Sequence, residues 1–538
     1  MRKKFFHESS TAKESHWCWK LLKKQTTEFC LSTGLHGYKY IGQSQRSGIE
    51  RAIWAAAVFS SIICAIILMK MAYDYYTLHS IFTVIESTHH GIWNYPFPAV
   101  TICNINRVSK KLSKRLIENL KIPSTISKDF LADQMKLMLE FLDPGAYEGD
   151  ISKNLTVLQD VFDYNNLSIT DVIYSTTQNC SDLIHKCKWN GKIVQCTSLF
   201  DPSFSRDGLC CSFNYMTLNS TTNLLSIQRM RRISACGYQT GLIVFLNLDS
   251  EDYFATILGS VGAKVMIHYP LDYPDYNAEN KYTTIGTQSF LSITPQETYS
   301  TEKVNYLPIS TRKCVFSHEG ILTRRNVGNE LRRNLAIENY TYLNCLAECR
   351  ASVIRQKCQC IPYYYPQNGV RICNLKDIRC LIKYKHLYDT SWPIINNASH
   401  TKFGIIDSLE RPCGCIPDCN LYRYPLESSQ GTLSKNIYYT NDSFTRDSNT
   451  GFNIFNYSIV HIFFGDLVSI QYRRNVQYDW RNLFASFGGL LGLFSGFSLM
   501  SGFELIYFFI IRLIIDALSK KRQKPVEKEN NCSVIEIS

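Results

Sequence analysis

Leu483–Ile511 reads LFASFGGLLGLFSGFSLMSGFELIYFFII, 29 residues with a single charge, Glu504. A bilayer crossing takes ~20 apolar residues, so the run is long enough to span with a tilt, or to start outside the membrane. Small residues recur along one side of it: Ala485, Gly488, Gly492, Ser495, Gly496 and Gly502. Gly488, Gly492 and Gly496 form a G-x-x-x-G-x-x-x-G stripe, which lets helices approach closely. Alone, such a stripe is an ordinary packing face. Three neighbouring features turn it toward an ion path. Ser495 and Ser498 bring hydroxyls to one level. Gly496-Phe497-Ser498 admits non-helical backbone whose carbonyls can face an ion. Glu504 places a carboxylate inside the membrane, at a cost of roughly 2.5–3.5 kcal/mol at a helix centre. Facing water, a ring of such carboxylates attracts cations. One pair of helices cannot line a wide path, so this reading requires an oligomer.

A second apolar run lies near the other end. Ala52–Met69, AIWAAAVFSSIICAIILM, is 18 residues without charge. Lys70 can snorkel at its end, and Tyr73, Tyr75 and Tyr76 suit the membrane interface. The alternative is a buried core helix. Two spans put both termini on one side. Residues 1–51 hold ten Lys/Arg against four Asp/Glu, and residues 512–538 six against four, while the rest is close to neutral at 42 against 38. Basic flanks mark the cytosolic side. The expected organisation is therefore a cytosolic segment 1–51, a first span 52–73, an external domain 74–482, a pore-lining span 483–511 and a cytosolic tail 512–538. Charge concentrated at the ends gives no basic stripe on a folded domain, so nucleic-acid binding is not expected.

Two independent features place the middle outside the cell. N-x-S/T sequons occur at Asn154, Asn166, Asn179, Asn219, Asn339, Asn397, Asn441 and Asn456. Seventeen of the 21 cysteines also fall there, where disulfides persist. Ten lie between Cys314 and Cys419, an even number that permits five internal bridges. Cys345 and Cys349 are four apart, on one helix face. A zinc site is the rival reading of this region. The other seven, Cys103, Cys180, Cys187, Cys196, Cys210, Cys211 and Cys236, are odd in number, so at least one is free or pairs between chains. Ser458–Ile470, SIVHIFFGDLVSI, alternates like strands. Residues 330–355 read as one or two helices, and His89-His90 as part of a loop.

Several motifs together resemble the degenerin/epithelial sodium channel family. They are His36-Gly37 before the first span, Phe97-Pro98-Ala99-Val100-Thr101-Ile102-Cys103 after it, and Cys210 followed by Ser212-Phe213-Asn214. The cysteine-rich region and Gly496-Phe497-Ser498, with Glu504 beyond, complete the set. The doubled Cys210-Cys211 and the string FGGLLGLFSGFS are most similar to the insect pickpocket branch. The resemblance implies an α+β membrane protein. Two transmembrane helices would flank a large disulfide-rich extracellular domain with a β-sheet palm and a helical thumb over 314–419, and three subunits would form a channel. It implies a sodium-selective, amiloride-sensitive plasma-membrane channel that needs no cofactor or metal, with Na+ as the permeant ion. Partners would be related subunits in a homo- or heterotrimer, membrane lipid and an extracellular stimulus of unread chemistry.

The resemblance also assigns residues. Gly496, Phe497 and Ser498 would be the selectivity filter and Glu504 a pore carboxylate. His36 and Gly37 would affect gating, and Ala485 falls near the position where bulky residues lock family channels open. Cys314 would pair with Cys419, Cys345 with Cys415, Cys349 with Cys413, Cys358 with Cys380, and Cys360 with Cys373. In the first half Cys103 would pair with Cys210 and Cys187 with Cys196; Cys211 is expected to join Cys236, leaving Cys180 over. One departure is Thr311, where acid-sensing members carry tryptophan three residues before the first thumb cysteine. It weakens the transfer of proton gating.

Other classes fit less well. An ATP-gated trimeric channel shares the two-span plan but lacks the His-Gly pair and the G-x-S with its glutamate. No H-E-x-x-H, G-x-S-x-G or phosphate-cradling glycine loop is present for a membrane-anchored enzyme. A non-conducting or modulatory subunit of a heteromeric channel is the standing alternative. Arg229-Met230-Arg231-Arg232 has the form of a furin-type cleavage site, or is a solvated basic patch.

Overall fold

A computed structural model describes residues 22–124, 126–147, 151–216, 230–319, 340–366, 369–390, 412–434, 457–477 and 480–523. The chain divides into a unit built from both ends, residues 1–82 with 476–538, and a larger unit over 83–475.

In the first unit a helix runs from 22 to 32, followed by the short helix Tyr38–Gly42 and the long helix Gly48–Leu78. Ser47 starts the long helix by accepting the Glu50 amide, and its 31 residues extend the expected 52–73 span at both ends. Its apolar side chains point outward all round: Ile53 is 64% exposed and Phe59 67%, while Ala65 is buried. A core helix would bury these groups; exposure on every face suits a lipid environment. This helix is long and apolar enough to cross a membrane. The second apolar run is two helices, Trp480–Ser495 and a lower part from Leu499, bent by 71° at the break.

The larger unit is mixed α/β. One sheet orders Ile81–Gly91, Val468–Val476, Gln296–Ser300 and Leu421–Arg423; a second orders Glu279–Thr283, Ala263–His268, Ala99–Asn104, Gly208–Phe213 and Phe200–Ser205. A six-stranded sheet has Thr287–Ile293 beside Tyr457–Phe464 at its centre. That pair is parallel, as is Gln296–Ser300 with Val468–Val476. Parallel neighbours need a long crossover, and the helical, cysteine-rich region lies in that connection. Alternation fixes the register: Thr287–Ile293 buries every second residue. The stretch 458–470 forms two strands, because Gly465-Asp466-Leu467 interrupts the alternation. His89 and His90 lie in strand Ile81–Gly91 rather than in a loop, since the β-branched residues Ile81, Thr83, Val84 and Ile85 lead straight into them.

The two motif strands are neighbours. Val100 pairs with Phe213, Thr101 with Ser212 and Ile102 with Cys211. The Phe97 ring is fully buried against Trp189, Phe213 and Phe464. Asn214, at positive φ, donates its side-chain amide to the Phe97 carbonyl at 2.5 Å.

Thr341 caps the helix Tyr342–Cys358, and Gln359 closes it in the left-handed conformation. Residues 330–339 of the expected helical stretch lie outside the described residues. Bridges join Cys345 to Cys415 and Cys349 to Cys413 from one face of this helix, and Cys358 to Cys380 in helix Ile378–Asp389. Cys314–Cys419 and Cys360–Cys373 complete the group, so every cysteine from 314 to 419 is spent and no thiolate is left for zinc. Cys103–Cys210 ties the motif strands and Cys187–Cys196 closes a hairpin. The expected Cys211–Cys236 pair is not formed: Cys211 bridges Cys180, and Cys236 is a free thiol. Consecutive strand residues point to opposite faces. Cys210 therefore meets Cys103 on one side while Cys211 meets the short helix Cys180–Leu183 on the other.

Candidate functional site

The break in the second apolar run is specified by its own residues. Gly496 takes φ +66°, a left-handed conformation that ends the helix. Its amide returns to the Gly492 carbonyl at 2.9 Å and the Phe497 amide to Leu491 at 3.3 Å. Two residues on, Ser498 restarts the helix through a capping box with Ser501. Gly496-Phe497-Ser498 is thus a link between a C-cap and an N-cap, with its backbone outside the helical ladder. Neither serine hydroxyl is idle: Ser495 Oγ donates to the Leu491 carbonyl at 2.7 Å, and Ser498 Oγ serves the cap.

The N-terminal segment grips this break. The His36 amide donates to the Ser495 carbonyl at 3.0 Å. A Cβ on Gly496 would stand 2.7 Å from the His36 ring, so the close approach itself requires glycine. Gly37, at φ +83°, lies so near the long helix that a Cβ would meet Val58 at 2.6 Å. Ser61 of that helix donates to the Phe494 carbonyl at 2.5 Å. His-Gly and G-x-S, about 460 positions apart in the chain, form one contact.

Below the break the helix 22–32 runs along the lower half-helix. Thr33 Oγ1 donates to Glu504 Oε2 at 2.9 Å. Phe29 is buried against the rings of Phe508 and Phe509. Glu28 pairs with Arg512 at 2.6 Å, and Gln25 donates to Asp516 at 2.8 Å. Sequence reasoning missed Gln25, Glu28, Phe29, Thr33 and Ser61. The spacing of Gln25, Phe29 and Thr33, four apart like Glu504, Phe508, Arg512 and Asp516, marks two facing helix stripes and is the signal that finds them. Glu504 is half-buried and engaged by Thr33, rather than simply facing open water.

Ala485, Gly488 and Gly489 are exposed on the upper half-helix, and a Cβ at either glycine would meet nothing within 4 Å. Among the sequons, Asn166 and Asn179 are exposed and Asn154 donates to Gln134 at 2.9 Å; Asn219, Asn339, Asn397, Asn441 and Asn456 lie outside the described residues. Arg229 does too, but the rest of the basic cluster is structural. The Arg231 backbone carbonyl accepts the Phe97 amide and its backbone amide donates to Asn214 Oδ1, the Arg232 guanidinium donates to the Asn94 carbonyl, and Ile233 is buried. A protease needing extended chain across Arg232-Ile233 would have to strip these contacts.

An apolar helix interrupted by non-helical backbone, gripped there by the chain's own N-terminal segment, suits a membrane protein that handles ions. The family model for amiloride-sensitive sodium channels matches residues 29–508, so the chain belongs to that family. It is 26% identical to the sodium channel protein Nach of Drosophila ananassae over 495 residues, covering 91% of this chain and 87% of that one. Pickpocket protein 28 of Drosophila melanogaster is 24% identical, with 91% and 79% covered. The bile acid-sensitive ion channel of Mus musculus is 25% identical, with 90% and 88% covered. These relatives place the chain with the insect pickpocket branch. It is a cation channel subunit rather than an enzyme, with Na+ as the permeant ion and no cofactor. Channels of this family sit in the plasma membrane and assemble as oligomers of related subunits.

Proposed function

We propose that this chain is a sodium-selective, amiloride-sensitive channel subunit, opened by an extracellular stimulus and assembled as a homo- or heterotrimer. Residues 52–73 and 483–511 cross the bilayer, both termini are cytosolic, and 74–482 face outside, carrying the glycans. Gly496, Phe497 and Ser498 form the selectivity filter, Glu504 contributes negative potential, and His36, Gly37 and Ala485 act in gating. The observation that carries this reading is the capped break at Gly496–Ser498. Non-helical backbone at membrane depth is tolerated where it is buried in protein or lines a water-filled path. The C-terminal end of the upper half-helix also directs its negative pole at the break, which favours a cation. The unfilled surface at Gly488 and Gly489 suits close approach of a second and third copy.

Voltage clamp of cells expressing the chain, with external Na+ exchanged for an impermeant cation, tests the reading. Inward current should vanish on exchange. Ser498→Cys should change the Na+/K+ permeability ratio or make current sensitive to thiol reagents. A conducting mutant with neither effect removes the filter assignment. Current only on co-expression with a related subunit assigns the modulatory role instead.

A further inference from the structure

The larger unit contains a cavity of about 1020 Å³ between strand ends and the start of helix Tyr342–Cys358. Its volume is that of a small-molecule site. Three carboxylates line it: Asp272, Asp418 and the exposed Glu279. Asp272 is only 9% exposed, and its Oδ1 has no hydrogen-bond partner among the described residues; the carboxylate is otherwise held by the Thr341 side chain. Asp418 accepts the Tyr342 amide at 3.0 Å. Burial and mutual repulsion push Asp272 up to about 7, and burial pushes Asp418 up to about 6. A buried carboxylate with an open lone pair is a group in want of a donor.

Of the positive groups in and near the lining, Arg423 is exposed to solvent and two others are committed elsewhere. Arg350 is paired with Asp275 in a buried ion pair. Arg474 favours the Asp418 anion, but its Nη1 donates to the carbonyls of Asp418 and Cys419 at 3.2 and 3.3 Å. The walls are aromatic and apolar: Tyr269 and Tyr422 stack at 5.2 Å, and Leu271 and Leu346 add aliphatic surface. Exposed Glu279 and Asn420 in the lining open the cavity to solvent.

We infer that this cavity binds an organic cation, a protonated amine or guanidinium on a compact apolar body, with Asp272 and Asp418 holding the charge and the stacked tyrosines holding the body. Aromatic faces attract such cations, and the carboxylates supply charge-assisted acceptors. A metal ion fits less well. Among the described residues, Asp272 and Asp418 belong to no group of three His, Cys, Asp or Glu side chains close enough to share an ion. The site goes beyond the channel reading and stands or falls without it, because binding is measured on the protein rather than through current.

The test is binding to the purified full-length chain by thermal shift and calorimetry at pH 8. Tryptamine serves as the free-amine probe, a phenylalanyl-leucine amide dipeptide as the peptide N-terminus, and N-acetyltryptamine as the uncharged control. One of the two amines should bind, the control at least tenfold more weakly, and Asp272→Asn or Asp418→Asn should weaken the amine at least tenfold. Asp272→Asn removes an ill-satisfied buried charge, so its melting temperature without ligand should not fall, which separates lost binding from lost folding. Preference for either amine tells a free ligand from a peptide. Equal binding of the control, unchanged binding in both variants, absence of binding by both amines, or a larger shift with calcium alone would each overturn the proposal.

Discussion

Thr33→Val removes one hydroxyl while keeping the shape of the side chain. In the structure that hydroxyl donates to Glu504 at 2.9 Å, from a buried residue to a half-buried carboxylate. A hydrogen bond to a charged acceptor contributes about 1.5–3 kcal/mol. Glu504 keeps some contact with solvent, so the lower figure applies, equivalent to about a tenfold change in an equilibrium constant. The substitution should therefore shift the open-to-closed ratio of resting channels about tenfold, away from the conformation described here. It should leave unitary conductance unchanged, because valine at 33 alters no charge in the path. Glu504→Gln, by contrast, should change both quantities: it weakens the bond and removes the negative potential. Single-channel records of Thr33→Val, Glu504→Gln and the double variant separate the two roles. With Gln at 504, adding Val at 33 should change the ratio by less than threefold. Were the tenfold effect to persist in that background, the two residues would act independently and the reasoning would fail. An unchanged ratio in Thr33→Val alone would refute it more directly.

Ala485→Phe should give constitutive current: the residue is exposed on the protomer beside the unfilled Gly488 surface, and added volume at the close-packed axis of the proposed trimer would favour a splayed state. Silence in a variant that reaches the surface argues against that packing. Alkylation of the native protein should label Cys236 but neither Cys180 nor Cys211, and peptide mapping should recover Cys180 joined to Cys211. A Cys211–Cys236 peptide would reverse the assignment. Between pH 5.5 and 8 Asp272 and Asp418 should each contribute a loss of stability to the larger unit as pH rises. Asp272 and Asp418 are raised by burial, so their protonated forms are favoured in the folded state and ionisation near pH 6–7 is costly. His268 and His461, pushed down to about 4 from the usual 6.5 by burial, act the opposite way: their unfolded imidazoles shed protons as pH rises through about 6.5, which adds stability and offsets much of that loss. Asp272→Asn should therefore gain melting temperature relative to the parent protein as pH rises from 5.5 to 8, and a difference that stays constant with pH would refute the assignment to Asp272.

The elements legible in the sequence are those with a local cause. Eighteen uncharged residues announce a long apolar helix, and the pattern over 458–470 announces strands. The cysteine region showed an even count and a helical spacing, and its bridges follow the helix face. The helix break was visible as Gly496 with Ser498, because a left-handed cap and an N-cap are both residue choices. What was hidden depends on distant chain. Cys180 lies beside Cys211 only because a four-residue helix is laid against a strand that pairs elsewhere, and no spacing encodes that. The partner of Glu504 was equally remote, 471 positions away. The partners of the basic cluster were hidden for the same reason: the Arg231 backbone amide and the exposed Arg232 side chain donate to Asn214 and to the Asn94 carbonyl, both distant in the chain.

The pairing of helix 22–32 with the lower half-helix behaves like a key cut for one notch. A slide of one helical turn, about 5.4 Å, would bring the next set of residues into line, since both stripes repeat every four positions. The new neighbours would be mismatched, however: Phe29 would meet Glu504, and Gln25 would meet Arg512. The segment therefore has one seated position and no smooth track of intermediate ones. A stimulus acting on this segment would have to unseat it as a whole, and the response would be a step rather than a gradient.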